Sequence, residues 1–134
     1  MNPQVEIILR LLLAAGLSAA IGYQRERANK AAGLRTHILI GSGAALFTLT
    51  SIYGFSGAVD PSRVAAGVVA GVGFIGAGVV FRGMHGEGVA GLTTAASIWI
   101  TAAIGLATGA GLYLIAAITT AITVGVLWLP KIRG

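Results

Sequence analysis

Val64-Ala65-Ala66-Gly67-Val68-Val69-Ala70-Gly71-Val72-Gly73-Phe74-Ile75-Gly76-Ala77-Gly78-Val79-Val80-Phe81 carries no ionisable or amide side chain between Arg63 and Arg82. An uninterrupted apolar run close to the ~20 residues needed to cross a bilayer core reads as a transmembrane helix. The same test finds four more such stretches, divided by charges and by Gly or Pro clusters: Val5 to Gly22, Thr36 to Phe55, Val89 to Ala107 and Ala110 to Leu129. One unbroken helix from Val89 to Leu129 would be about 60 Å long, twice the bilayer core, so Thr108-Gly109-Ala110-Gly111 reads as a tight helical hairpin. The predicted fold class is all-α, a polytopic membrane bundle of about five transmembrane helices, with residues 1–134 forming a single transmembrane domain.

Composition agrees. With 56% hydrophobic and only 10% charged residues, and a mean hydropathy of +0.90, the chain has too little polar surface to cover a water-soluble globule. A net charge of +5 could suggest nucleic acid, but the basic residues stand singly between apolar stretches, as in a basic membrane protein. The absence of cysteine excludes disulfides, thiolate zinc sites and thiol chemistry. Met1 to Gln4 has no basic residue and further spans follow, so the first stretch reads as a span and not a signal peptide.

Orientation follows from the short loops. Arg25, Arg27, Lys30, Arg35, Arg82, Lys131 and Arg133 fall on one side, and only Arg10 and Arg63 toward the other. This predicts an outer N-terminus and a cytoplasmic C-terminus. Near the outer face, Glu6 and Arg10 stand four apart in the favourable acid-before-base order, as an interfacial pair whose arginine snorkels outward or as the entrance to a cation path.

Asp60-Pro61-Ser62-Arg63 places a capping residue and a proline at the start of the third helix. Capping does not explain Arg63, which pairs with Asp60 in a functional reading and lies free at the interface otherwise. Gly67, Gly71, Gly73, Gly76 and Gly78 make the third helix a surface for close helix approach. Gly71 to Gly76 matches G-x-G-x-x-G, but without a preceding strand or a suitably spaced acid the dinucleotide reading fails. In the connection to the fourth helix, His85 and Glu87 cannot complete a tetrahedral zinc shell. Thr93, Ser97 and Thr101 form an i, i+4 polar row beside Thr94, returning hydrogen bonds to their own helix or lining a polar interface. The basic segment from Arg25 to Arg35 reads as lying on an anionic membrane surface, and Arg35, Thr36 and His37 as a cytoplasmic mouth or docking site at the entry of the second span.

Read in order, Gly33-Leu34-Arg35-Thr36-His37, the Gly41 to Phe47 stretch, Asp60-Pro61-x-Arg63, Gly71-x-Gly73-Phe74-Ile75-Gly76-Ala77-Gly78 and Gly91-Leu92-Thr93-Thr94-Ala95-Ala96 followed by Trp99 closely resemble the signatures of the MgtC/SapB family of bacterial membrane proteins. The resemblance runs from Ile21 to about Gly109, with Gly67 standing where the family commonly has Gln. Many members continue into a soluble cytoplasmic domain, and this chain, which stops at Gly134, resembles the membrane domain alone. The resemblance implies a multi-pass inner-membrane protein linked to growth or virulence under magnesium limitation, in some members through modulation of the F-type ATP synthase. The family's name suggests transport of magnesium or another cation, the alternative reading.

Magnesium binds through one or two carboxylates plus water. Asp60, Glu6 and Glu87 are the only acidic residues outside the basic loop, so Asp60 and Glu87 are the metal candidates, and no continuous carboxylate path joins them. No catalytic set of nucleophile, base and orienting residue is recognisable. The expected protein is a non-enzyme without a resident cofactor, partnered by the bilayer, by another membrane protein or by a second copy of itself, and not by nucleic acid.

Overall fold

The computed structural model describes residues 2–83 and 89–130, and every regular element among them is helical. The helices are α1 (Pro3–Arg27), α2 (Leu34–Tyr53), α3 (Ser62–Gly83), α4 (Val89–Gly109) and α5 (Tyr113–Leu127). The first four contain segments long and apolar enough to cross a bilayer. The fifth, at 15 residues, is about 22 Å long at 1.5 Å per residue.

Local chemistry sets the boundaries. Asn2 accepts a hydrogen bond from the Gln4 amide, and Pro3 opens α1 where its missing N–H costs nothing. Asn29, at φ 56°, turns the chain after α1, a conformation asparagine tolerates. The Glu26 carboxylate accepts from the Leu34 amide and so caps α2 from the preceding helix. Between α4 and α5, Leu112 N–H donates to Ala107 O at 2.9 Å and Gly111 takes φ +95°, a Schellman-type reversal that permits the expected hairpin.

α4 is the hub of the bundle and touches each of the other four helices, whereas α3 packs chiefly on α4 and only lightly on α2. Within the chain, the third helix is therefore not the centre of close contact. Val68, Val72 and Val79 turn its larger side chains toward the core formed with Ala44, Ile98 and Ala102. Gly67, Gly71, Gly73 and Gly78 point away from it, and a Cβ added at any of them would meet nothing within 4 Å. Gly76 alone of the five approaches a neighbour, with Ala95 Cβ at 3.6 Å from such a Cβ.

The tight approaches lie elsewhere. A Cβ at Gly105 would stand 2.9 Å from the Gly41 carbonyl carbon, one at Gly109 2.8 Å from Ala45 O, one at Gly22 2.8 Å from Leu34 Cα, and one at Gly41 2.7 Å from Ser18 Cβ. Small residues four apart on three helices thus let α1, α2 and α4 meet backbone to backbone, which in lipid is what allows dispersion contacts to hold helices together. α2 and α3, by contrast, splay around an apolar groove of about 710 Å³ lined by residues that include Ile40, Gly43 and Phe47 of α2 and Gly67, Gly71 and Ile75 of α3.

Candidate functional site

Two polar layers bracket the apolar middle of the bundle. In one, Arg10 of α1 donates from Nε to the Tyr113 hydroxyl at 2.7 Å and from Nη1 to Gly109 O at 2.8 Å, and it pairs with Glu6. The rings of Tyr53 and Tyr113 stand 5.8 and 5.7 Å from its guanidinium carbon. The expected Glu6–Arg10 pair is formed, but its arginine does not snorkel freely: it satisfies an orphan carbonyl at the C-terminus of α4 and ties α1 to α5. At the far end of the same two helices, Gln24 Nε2 donates to Leu127 O at 3.1 Å, so α5 runs alongside α1.

The second layer is the candidate site. α1 does not end at Gly22 but continues to Arg27, which carries Gln24 and Arg25 into the bundle at 5% and 2% exposure. This corrects the expectation that Arg25 belongs to a loop on the membrane surface. The residues Ala14, Ser18, Ile21 and Arg25 follow one another at helical spacing on the buried face of α1, so burial of Ile21 carries Arg25 inward with it.

The Arg25 guanidinium donates from Nη2 to Thr94 Oγ1 at 2.9 Å, while its Nε is buried with no hydrogen-bond partner among the described residues. The sole ion pair among the described residues is Glu6–Arg10, so no described carboxylate neutralises Arg25. Next to it lies His37, fully buried, its Nδ1 2.8 Å from Gly33 O and its Nε2 3.0 Å from Ser97 Oγ. A carbonyl only accepts, so Nδ1 carries a proton and a neutral imidazole accepts at Nε2 from the Ser97 hydroxyl. That hydroxyl also lies 2.7 Å from Thr94 O. It can donate to His37 or to Thr94 O but not to both, and donation to Thr94 O goes with a proton on Nε2. A buried, electropositive, hydroxyl-lined cluster results, built for hydrogen bonding and for anionic oxygens.

Other expected site residues disperse. Arg35 is exposed and Thr36 half-buried while His37 is enclosed, so the three do not form one mouth. Thr93 faces outward and Thr94 inward, so the buried polar row of α4 is Thr94, Ser97 and Thr101, the last returning its hydroxyl to Ser97 O at 2.7 Å. His85 and Glu87 lie outside the described residues. No group of three metal-ligating side chains occurs among the described residues.

Asp60 and Arg63 are both exposed at the other end of α2 and form no ion pair. The Asp60 carboxylate instead accepts from the Ser62 amide at 3.0 Å and the Ser62 hydroxyl at 2.7 Å, the capping role its position predicts. These donors favour the ionised form and hold its carboxyl below the usual range. A carboxyl depressed by folding contributes stability above its unfolded pKa and loses it as pH falls through the folded one, so the cap is intact at neutral pH and fails only in acid. In a double-mutant cycle, Asp60→Asn should lower the melting temperature by the loss of the cap, Arg63→Gln should not lower it, and the two effects should add; strong coupling would restore the ion pair.

Sequence reasoning placed Arg25 on the membrane surface and passed over Gln24, the tyrosines that hold Arg10, and the small-residue rows through Gly22, Gly41, Gly105 and Gly109. The signal was present in Gly105-Leu106-Ala107-Thr108-Gly109 and in the i, i+4 spacing of Ala14, Ser18 and Gly22.

Compared with known proteins, residues 11–132 match the model of the MgtC family. The chain is 54% identical over 106 residues to "Putative magnesium transporter YhiD" of Escherichia coli K12, covering 74% of this chain and 48% of that protein. It is 46% identical over 97 residues to Protein MgtC of Salmonella typhimurium LT2, covering 72% of this chain and 40% of the relative. With Protein MgtC of Brucella abortus it shares 46% identity over 88 residues, 66% of this chain and 36% of the relative. The chain thus spans half or less of these relatives' length. No solved structure matches significantly.

Proposed function

Because the chain belongs to the MgtC family, we propose that it serves adaptation to low magnesium as a multi-pass protein of the bacterial inner membrane, acting by contact with another membrane protein such as the F-type ATP synthase and not as an enzyme. The observation that carries this reading is Arg25, a cation buried to 2% exposure within the packed α1–α2–α4 core and unpaired with any described carboxylate. An electropositive core repels divalent cations and attracts acidic groups, and an ionisable residue at membrane depth marks a functional position. The basic residues around the α1–α2 turn, Arg27, Lys30 and Arg35, support an outer N-terminus and a cytoplasmic C-terminus, which puts the Arg25 layer toward the cytoplasm.

The second reading, magnesium transport, is favoured by the name of the Escherichia coli relative. Two measurements on the purified chain separate them. Added to inverted membrane vesicles, the chain should reduce ATP-driven proton pumping by the synthase. In liposomes with an entrapped magnesium indicator, uptake should match that of empty liposomes. Saturable magnesium uptake together with unaltered pumping would replace contact with transport.

A further inference from the structure

The α2–α3 groove lies apart from the Arg25 layer, and its dimensions are informative. Along α3 it extends from Val64 to Ile75, about 17 Å of helix at 1.5 Å per residue. That is roughly half of the ~30 Å hydrocarbon core, the depth of one leaflet. Its volume, about 710 Å³, falls in the range of sites that bury a small amphiphile. On both walls glycine replaces side chains, Gly43 on α2 and Gly67 and Gly71 on α3, so a guest reaches backbone depth.

The end of the groove is charged. Arg63 stands four residues before Gly67 and eight before Gly71, heading the row that faces the groove. It is exposed, and among the described residues its guanidinium has no ion-pair or hydrogen-bond partner. The nearby Asp60 carboxylate is engaged with Ser62. A free guanidinium at the rim of an apolar channel one leaflet deep is complementary to a phosphate with a hydrocarbon tail.

We propose that the α2–α3 groove with Arg63 at its mouth binds an anionic phospholipid, one acyl chain lying against Gly67 and Gly71 and the phosphate on Arg63. A second copy fits less well: two chains inserted in the same orientation would bring their α3 helices together in parallel, setting both Arg63 cations at the same end, where each Asp60 carboxylate is already engaged by its own Ser62. The site is independent of the proposed contact with the synthase.

Native mass spectrometry of the full chain in detergent, titrated with phosphatidylglycerol or with diacylglycerol of the same chains, tests it. One phosphatidylglycerol per chain should be retained. Arg63→Gln should weaken that retention roughly tenfold, the effect of one charge-assisted contact, and leave diacylglycerol unaffected. Gly71→Leu should abolish retention of both, and Gly43→Leu, filling the groove from the other wall, should do the same if Gly71→Leu compromises folding. Inorganic phosphate should not displace the lipid. Retention that survives both Arg63→Gln and groove filling overturns the proposal. So does displacement by phosphate alone, and so does efficient crosslinking between copies through a cysteine at position 67 in lipid, which would make the occupant a second copy.

Discussion

Gly105→Leu is expected to abolish the folded protein while Gly71→Leu leaves it folded, although both replace a glycine in an apolar helix by the same side chain. At Gly105 the first added carbon already meets backbone, 2.9 Å from the carbonyl carbon and 3.0 Å from the Cα of Gly41. Backbone cannot rotate aside as a side chain can, so α2 and α4 would have to separate, taking the buried Ala45–Gly109 contact with them. Overpacking commonly costs about 1–3 kcal/mol when side chains can adjust, and Gly105→Ala should fall at or above the top of that range. Leu exceeds any local adjustment. Gly71, by contrast, faces open space in the groove, where bulk displaces only lipid. Monodisperse yield and melting temperature in detergent across Ala, Val and Leu at positions 71, 105 and 109 read the contrast directly. Equal tolerance at 71 and 105 would mean that α2 and α4 do not meet at Gly41, and the assignment of α4 as hub would fall.

The second large effect carries the opposite sign for stability and for function. Arg25→Met should make the protein more stable and less active. A desolvated cation with no carboxylate partner among the described residues is a standing cost that an uncharged side chain of similar length removes, and even buried cations that do have a partner can often be replaced by apolar residues at no loss of stability. If Arg25 is kept to meet an acidic group on a partner, its removal should erase the effect on ATP-driven proton pumping while melting temperature rises. A variant that melts lower and still reduces pumping would make Arg25 a structural strut and leave the proposed contact without its principal support.

Span-by-span reading recovered the helices because each stands between charges or glycine clusters, and the requirement of about 20 apolar residues leaves few other divisions. It recovered the hairpin at Gly111 and the cap at Asp60 for the same reason: both depend on neighbours in sequence. Interhelical contact was not legible in that way. Six glycines on α3 outweighed three on α4 by number, yet small residues matter only where another backbone arrives, and whether it does is decided by which face carries the bulk. On α3 the valines at 68, 72 and 79 occupy that face. Arg25 was misplaced because a cation in a run of charges looks solvated, although its helical phase with Ile21 carries it inside. Arg10 was seen with Glu6, four residues away, but not with Tyr113, which lies 103 residues along the chain.

The brevity of α5 has an effect on the surrounding solvent. Its outward side chains, Leu114, Ile115, Ile118 and Ile122, lie on a helix only about 22 Å long, followed by an exposed Trp128 of the kind that seats at headgroup level. A typical hydrocarbon core is about 30 Å thick, so lipids beside α5 must compress to cover the helix without burying headgroups, whereas those beside the longer α2 and α3 need not. The protein therefore wears an uneven lipid collar, thin on one flank. Because each ångström of mismatch adds to the energy of the deformed patch, that flank is where short-chain lipids, or another helix bundle of similar height, gather at least elastic cost.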